Sequence, residues 1–328
     1  MSNRSIRELE YVTCALCNSD VAELFFEDRC FHLVRCKRCG LVYINPRPTQ
    51  EELDRMYNLS VQTDKGVMDH TGYMELAYLH ALKAKKFLSI IKKYKKKGRI
   101  LDIGCASGFF LNLAKQQGFD PHGVEISKTF CSFAKKEFNL DIFCGTLKEV
   151  NYPSEYFDVV TMFNVLGHLP TPVEELNEAN RVLRKEGLLL IETGNKGELN
   201  AKAVEKWGSV WDSPSHLYHF STKALMKLLE MTGFDCINID KSPVILSSIM
   251  GIALKRIIRS GKSKDVSYQQ LRLGATPVVI KRGLTKAGAH LFLFTKYTLG
   301  KLLPKSNIDC TMIVCAKKRR DAFTHLLP

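Results

Sequence analysis

The order of apolar and polar positions predicts a regular alternation of strands and helices from residue 99 onward. The predicted strands are Arg99–Ile103, Pro121–Ile126, Asp141–Cys144, Phe157–Phe163, Gly187–Thr193, Phe234–Asp240 and Ile308–Ala316. The predicted helices among them are Ser107–Gln117, Lys128–Phe138, Val173–Lys185 and Ser221–Thr232. Strands separated by single helices favour right-handed crossovers. We therefore expect an α/β fold, a Rossmann-like, seven-stranded, mostly parallel sheet with helices on both faces.

The residues before 99 follow a different pattern, with short β-prone runs that end near Pro46 and Pro48. Thr49 followed by Glu52 is typical of a helix start, and a longer helix is predicted from about Tyr73 to Lys95. These patterns divide the chain into a cysteine-rich module (1–48), a helical linker or lid (49–98), the Rossmann-like domain (99–242), a basic helical insert (243–306) and a final strand with a tail (307–328).

Four cysteines form two tight pairs, Cys14-x2-Cys17 and Cys36-x2-Cys39. Two such pairs at this separation are typical of a zinc ribbon. Four thiolate ligands leave no open position for water, so the predicted zinc is structural. Disulfides are the alternative, and the absence of an export signal near Met1 disfavours them. The other cysteines lie singly in apolar segments, as small buried residues do in a reducing compartment.

A glycine-containing turn follows the first strand of the alternating region. It has Gly104, Ala106 and Gly108, with Asp102 two residues before it, and Glu125 ends the next strand. Glycines let the backbone approach a ligand, and the N–H groups of a following helix favour an anionic group. A dinucleotide fingerprint would need glycine at positions 106 and 109, where this chain has alanine and phenylalanine. The turn and the later acid alone therefore leave open a doubly wound domain that binds another ligand.

The stretch 100–111 resembles the first motif of class I S-adenosylmethionine-dependent methyltransferases, and 156–169 and 181–191 resemble that family's fourth and fifth strands. The resemblance implies S-adenosylmethionine as cofactor, with its methionine end at Gly104, Ala106 and Gly108, which Asp102 precedes. It implies that Glu125 accepts hydrogen bonds from the ribose hydroxyls, that Thr146 lies at the adenine and that Asn164 contacts the cofactor through its backbone. The residues alone leave alternatives: Asp102 orients the turn only, and Glu125 is a solvated strand end.

Candidate acceptor chemistry lies between the fifth strand and the next helix, in the aromatic run from Trp207 to Ser221. His216, Tyr218 and His219 are the candidate catalytic residues, because a histidine near a sulfonium can take a proton from an acceptor. The alternative is that His216 stabilises the loop and Ser221 caps the following helix. His168, at a helix entry, is interpreted as structural.

The segment 35–48 resembles the zinc-ribbon heads of bacterial methyltransferases of sugar and polysaccharide biosynthesis, as does the His-x-x-x-Phe-Ser pattern at 216–221. This resemblance implies a small or lipid-linked acceptor, such as a sugar, a polysaccharide precursor or a secondary-metabolite precursor. An RNA methyltransferase is an alternative, and 163–166 lacks the Asn/Asp-Pro-Pro-aromatic box of base-amine methylation. A binding module that keeps the cofactor but has lost turnover is another.

Composition changes this picture in one region. The chain of 328 residues is 45% hydrophobic and 25% charged, as in globular proteins, with a formal net charge of +14. Segment 243–306 holds twelve of the basic residues and one acid, Asp265. A lid, a surface for anionic lipid and a packed subdomain are the open interpretations of this segment. Without a visible signal or spanning segment, we expect a cytoplasmic protein, with peripheral contact at the inner membrane face as an open alternative, and nucleic acid is not the expected partner.

Overall fold

A computed structural model describes residues 8–28, 31–62, 77–195, 216–243 and 310–319. Several sequence-based expectations lie outside these residues. They are the basic insert after Pro243, the aromatic run 207–215, the start of the helix predicted from Tyr73, and the end of the tail.

The described chain forms thirteen strands and seven α-helices, numbered here in chain order. The strands are β1 (Leu9–Glu10), β2 (Ala22–Asp28), β3 (Phe31–Cys36), β4 (Val42–Ile44), β5 (Arg47–Pro48), β6 (Gly98–Ile103), β7 (Phe119–Glu125), β8 (Asp141–Cys144), β9 (Phe157–Phe163), β10 (Leu183–Gly194), β11 (Tyr218–His219), β12 (Phe234–Pro243) and β13 (Cys310–Lys318). The helices are α1 (Gln50–Gln62), α2 (Ala77–Ile91), α3 (Phe109–Gln116), α4 (Lys128–Phe138), α5 (Leu147–Val150), α6 (Pro172–Val182) and α7 (Thr222–Met231), with a 3-10 turn at Leu166–His168.

The large sheet has seven strands in the order β12-β13-β10-β9-β6-β7-β8. Neighbouring strands from β10 to β8 are parallel, whereas β13 is antiparallel to both β10 and β12. Six strands therefore share one direction, and the predicted seven-stranded, mostly parallel, Rossmann-like sheet is confirmed. The carboxyl ends of these six strands form one edge, which is where open α/β sheets bind ligands.

Alternate residues of the central strands are buried on opposite faces of this sheet, because side chains of a strand point to opposite sides. On one face, Leu101, Val160 and Leu189 pack in a cluster that also contains residues of α6 and α7. On the other face, Ile100 and Val159 pack in a cluster that contains residues of α2, α3 and α4. Both faces are covered, as the apolar runs of the strands require.

Local signals explain most helix ends. The Ser127 hydroxyl caps α4, and the Ser221 hydroxyl accepts from the Ala224 N–H (3.1 Å) at the start of α7. Helix α6 ends at Val182, three residues before the predicted Lys185. The expectation was wrong there because Leu183 already pairs with Phe157 in the sheet, ahead of an irregularity between Leu183 and Leu188.

A second sheet, of four strands in the order β11-β4-β3-β2, belongs to the cysteine module, the name used here for the described residues 8–48. Its edge strand β11 comes from far along the chain, between β10 and α7. Tyr218 is the register partner of Tyr43, and His219 is that of Val42. This pairing could not be predicted, because a two-residue strand is too short to produce a recognisable pattern.

Candidate functional site

The turn after β6 is held in a conformation that favours glycine. Gly104 and Gly108 have φ angles of 71° and 75°. A Cβ built on Gly104 would lie 2.8 Å from Cγ2 of Val165, too close for an undisturbed side chain. Ala106 has φ 46°, a strained value for a residue with a Cβ. The loop after β9 thus lies directly against the turn where the turn leaves β6.

Glu125 stabilises this turn from the end of β7. One carboxylate oxygen accepts from the Ala106 N–H (2.9 Å), and the other accepts from the Ser127 N–H (2.8 Å). The side chain is buried, and burial raises the pKa of Glu125 while the two backbone hydrogen bonds oppose that rise. Each carboxylate oxygen has a second lone pair, so the same group retains the capacity to accept hydrogen bonds from a ligand's hydroxyls.

Asp102 is buried beneath the turn, within the sheet. Its Oδ1 accepts from the Thr161 hydroxyl (2.7 Å), which lies on β9. Burial raises the pKa of Asp102 to about 8, although the hydrogen bond from Thr161 opposes that rise. A carboxyl group with this pKa is largely protonated at pH 7, so its role in this structure is to connect β6 with β9.

Asn164 follows β9 in a left-handed conformation, with φ 56°. Its N–H donates to the Glu192 carbonyl (2.7 Å), and its Nδ2 donates to the Glu192 carboxylate (2.7 Å). The same carboxylate accepts from Lys83 Nζ of α2 at 2.9 Å. One helical turn away, burial and the charge of Lys83 lower the pKa of His80 to about 4. Glu192 therefore fixes the backbone of Asn164 and pairs with Lys83 at the carboxyl edge of the large sheet.

Thr146 follows β8, in the loop where the sequence predicts an adenine contact. Its hydroxyl accepts from the Glu149 N–H (3.3 Å) and donates to the Glu149 carboxylate (2.9 Å), a reciprocal cap at the start of α5. The residue is exposed. The described contacts of this hydroxyl are thus those of a helix cap.

The four paired cysteines come together in the cysteine module, with their sulfur atoms all within 4.8 Å of one another. Cys14 Sγ lies 3.4 Å from Cys39 Sγ, and Cys17 Sγ lies 3.5 Å from Cys36 Sγ. Zinc with four thiolates at about 2.3 Å has sulfur–sulfur separations of about 3.8 Å. The hydrogen bond between the two thiols raises the pKa of Cys14 and lowers that of Cys39. The donor set therefore fits a tetrahedral zinc ion.

Histidine rings gather where the loop after β9 meets the loop before α7. The ring centroids of His168 and His216 are 4.0 Å apart, and those of His216 and His219 are 6.3 Å apart. Gly167 allows this approach, since a Cβ there would lie 3.0 Å from the Tyr218 carbonyl oxygen. His216 is half-buried and His219 is buried. The structure thus brings together two of the three candidate catalytic residues, His216 and His219.

The third, Tyr218, directs its hydroxyl elsewhere. The hydroxyl donates to the Pro170 carbonyl (3.0 Å) and accepts from Arg47 Nη1 (3.0 Å). Arg47 also donates to the Pro170 carbonyl (2.9 Å) and, through Nε, to Glu10 (2.8 Å). These are contacts of an anchor between the cysteine module and the loop after β9.

Sequence reasoning missed Tyr57, Lys83 and Glu192. Tyr57 Oη lies 3.2 Å from His168 Nδ1, and burial followed by the charge of Glu125 raises the pKa of Tyr57 well above its usual value. Tyr57 thus contacts the histidine cluster from α1. For Glu192 a signal existed, namely a single acid at the end of an otherwise apolar strand. For Tyr57 and Lys83 none did, since both lie on helices with ordinary amphipathic patterns.

The sheet order, the glycine turn and the buried acid at the second strand end define a class, the Rossmann-like nucleotide-binding α/β proteins. Residues 75–239 match the family described as "Methyltransferase domain". The chain therefore belongs to this methyltransferase family, and it is a class I S-adenosylmethionine-dependent methyltransferase.

Individual relatives are distant. An uncharacterized protein of Methanocaldococcus jannaschii is 28% identical over 166 residues, covering 49% of this chain and 71% of that protein. A ubiquinone biosynthesis O-methyltransferase of Coxiella burnetii is 22% identical over 176 residues, covering 47% of this chain and 75% of that enzyme. Among solved structures, a SAM-dependent methyltransferase from Archaeoglobus fulgidus matches with a TM-score of 0.48 and 20% identity, covering 76% of this chain and all of that one (100%). Among the described residues, no helix combines the length and the apolar character needed to cross a bilayer.

Proposed function

We propose that this methyltransferase acts on a hydroxyl group of a small acceptor of the sugar or secondary-metabolite type, free or lipid-linked, with His216 as the proton acceptor. The observation that carries this proposal is the histidine cluster beside the glycine turn. Val165 contacts the position of Gly104, and three residues later the ring of His168 lies against that of His216. A proton acceptor is thus close to where a methyl donor would lie.

The residues suit the cofactor at both of its ends. We propose that the turn of Gly104, Ala106 and Gly108, above the buried Asp102, receives the methionine end, with the backbone of Asn164 beside it. Glu125 receives the ribose hydroxyls through its free lone pairs, and the loop at Thr146 receives the adenine. When bound, the cofactor supplies an electrophilic methyl group.

The chain's own residues then align the acceptor and take its proton. Histidine has a pKa near neutrality, so the neutral ring of His216 can accept a proton as the acceptor oxygen attacks. Tyr57, through His168, holds the neighbouring ring in place. Alignment of the attacking oxygen with the methyl carbon contributes much of the acceleration in a transfer of this kind. The ubiquinone O-methyltransferase relative, named for methylation at oxygen, supports an oxygen acceptor.

We also propose that Cys14, Cys17, Cys36 and Cys39 bind a structural zinc ion. With all four ligands supplied by protein, the metal has no open position for a substrate. A lipid-linked acceptor would bring the basic segment 243–306 near anionic lipid, and flotation with anionic vesicles tests that contact.

The function is tested by incubating the zinc-loaded protein with methyl-labelled S-adenosylmethionine and metabolite extract from the source organism. We expect the label in a polar small molecule or lipid-linked sugar, attached to oxygen. Label in RNA, or cofactor binding without transfer to any fraction, would overturn the proposed acceptor class.

His216→Gln then tests the proton acceptor. With the labelled product's precursor as substrate, we expect turnover to fall by about 10²- to 10⁴-fold, because general-base assistance is lost. The affinity for S-adenosylhomocysteine, measured by calorimetry, stays unchanged. His32→Gln is the matched control, since His32 is an exposed residue whose ring contacts Glu27. Equal turnover in both variants would exclude His216 as the base.

A further inference from the structure

The sheet of the cysteine module is completed by residues that lie beside the proposed acceptor site. Strand β4 begins at Val42, shortly after Cys39, and lies between β3 and β11. Besides the register pairs of β11, the Ile44 N–H donates to the Leu217 carbonyl (3.0 Å). Residues 216–220, named here the acceptor loop, thus belong to the module's sheet and not to the large sheet.

A second set of contacts fixes the same loop from the side. Arg47 of β5 donates to both the Tyr218 hydroxyl and the Pro170 carbonyl. Tyr218 is only 4% exposed, so these polar groups are shielded from water. Buried hydrogen bonds of this kind are costly to break, because the groups left behind lose their partners. The acceptor loop is therefore held between the cysteine module and the loop after β9.

The metal-binding cysteines share a core with the acceptor loop. Cys14, Cys36, Tyr43, Leu217 and Phe220 all belong to one buried cluster. The other apolar cluster of the module is small, with Leu33, Val42 and Ile44 as its buried members. Small modules with little core of their own depend on the metal for their folding. We therefore expect β4 and β11 to be well ordered when the metal is bound and to lose this order when it is removed.

The cofactor turn touches the same buried cluster through Ile103 and Val124, but its hydrogen bonds have another origin. The described hydrogen bonds of Gly104, Ala106 and Glu125 join β7, the turn itself, the start of α4 and the loop after β8, and among the described residues none of them reaches the cysteine module. We propose that the cysteine module is the positioning element of the acceptor loop, so that metal binding at the four cysteines controls the order of residues 216–220 and leaves the cofactor turn unchanged. That this loop contacts the methyl acceptor rests on the proposed function. The coupling between metal binding and the order of the loop does not.

The test is hydrogen–deuterium exchange on the full-length, zinc-loaded protein and its Arg47→Met variant. This variant keeps all four cysteines and removes the side-chain anchor. We expect exchange at residues 217–219 to rise about tenfold, the effect of losing buried hydrogen bonds. Exchange in β6 and β7 stays unchanged, as does the affinity for S-adenosylhomocysteine. Arg319→Met is the matched control, because Arg319 pairs with Asp235 at the opposite edge of the large sheet.

Metal removal gives the second arm, with zinc content measured throughout. Chelation should raise exchange in β4 and in residues 217–219 together, and added Zn²⁺ should restore both. Protection of 217–219 that survives the loss of β4, or a rise spread equally over β6 and β7 in Arg47→Met, would overturn the coupling. Failure to bind S-adenosylhomocysteine would instead overturn the proposed function, and the exchange result would stand.

Discussion

The two halves of the candidate site are built in opposite ways. Apart from Asn164, the cofactor half lies within residues 102–146 and consists of consecutive strand ends, with Glu125 hydrogen-bonded to the turn it faces. The acceptor half joins Tyr57, His168 and His216 from three separate regions, and the cysteine module anchors it through Arg47. A cofactor half that depends on its own loops and an acceptor half that depends on distant contacts should respond differently to the same kind of change.

The largest effect on the cofactor half is expected from Glu125→Gln. The amide keeps the size of the side chain but loses the charge, and its NH2 group cannot accept from the Ala106 or Ser127 N–H. We expect the affinity for S-adenosylhomocysteine, measured by calorimetry, to fall about tenfold to a hundredfold, because hydrogen bonds to a charged acceptor are lost.

Glu51→Gln, at an exposed position of α1, controls for the change of net charge. Exchange at residues 217–219 should be the same in both variants. A Glu125→Gln protein that binds as tightly as the control would show that this carboxylate does not hold the ribose.

A smaller effect, reaching both halves, is expected from Gly104→Ala. The new Cβ would meet Val165 while the backbone remains at φ 71°. We expect the free energy of unfolding, measured with urea, to fall by about 1–2 kcal/mol. Gly118→Ala is the control for backbone strain alone. Gly118 has φ 86°, and an added Cβ there would have no atom within 4 Å. Equal losses in the two variants would mean that the contact between Gly104 and Val165 does not matter.

An effect that appears only when the pH changes is expected from Asp102. Its pKa is about 8 in the folded protein and near its ordinary value of about 3.9 when unfolded, so the folded state binds one more proton between these limits. Stability therefore falls as pH rises through this window and levels off above pH 8. Between pH 6 and pH 7, the free energy of unfolding should fall by about 1.4 kcal/mol more in the wild type than in Asp102→Asn. Urea unfolding at the two pH values measures this difference. Parallel pH profiles would show that Asp102 is ionised in the folded state.

The sequence was most informative where structure depends on neighbouring residues. The predicted strands at 141–144 and 157–163 and the helix at 128–138 have the observed bounds, because each combines a clear period with a cap or turn at its ends. The four cysteines and the glycine turn were found for the same reason, since their spacing is local.

The remaining features depend on distance along the chain. The pairing of Tyr218 with Tyr43 and the bond between Lys83 and Glu192 join residues far apart in sequence, and no period or cap signals them. The apolar run of β10 predicts burial but not which helix covers Glu192. Of the acceptor half, the sequence therefore indicated only His216 as a candidate, and its arrangement with Tyr57 and His168 required the fold.

The reversed last strand has a consequence for how enzymes of this architecture can diverge. Pro243 and Cys310 are register partners at the ends of β12 and β13. Since β12 runs in the same direction as β10, that end of the hairpin lies at the carboxyl edge of the sheet, where open α/β sheets bind ligands. The chain leaves and re-enters the sheet at neighbouring points, so sequence of any length and character can be inserted there without shifting a single pairing. New recognition surfaces can thus be added beside the carboxyl edge of the sheet while the sheet itself stays the same.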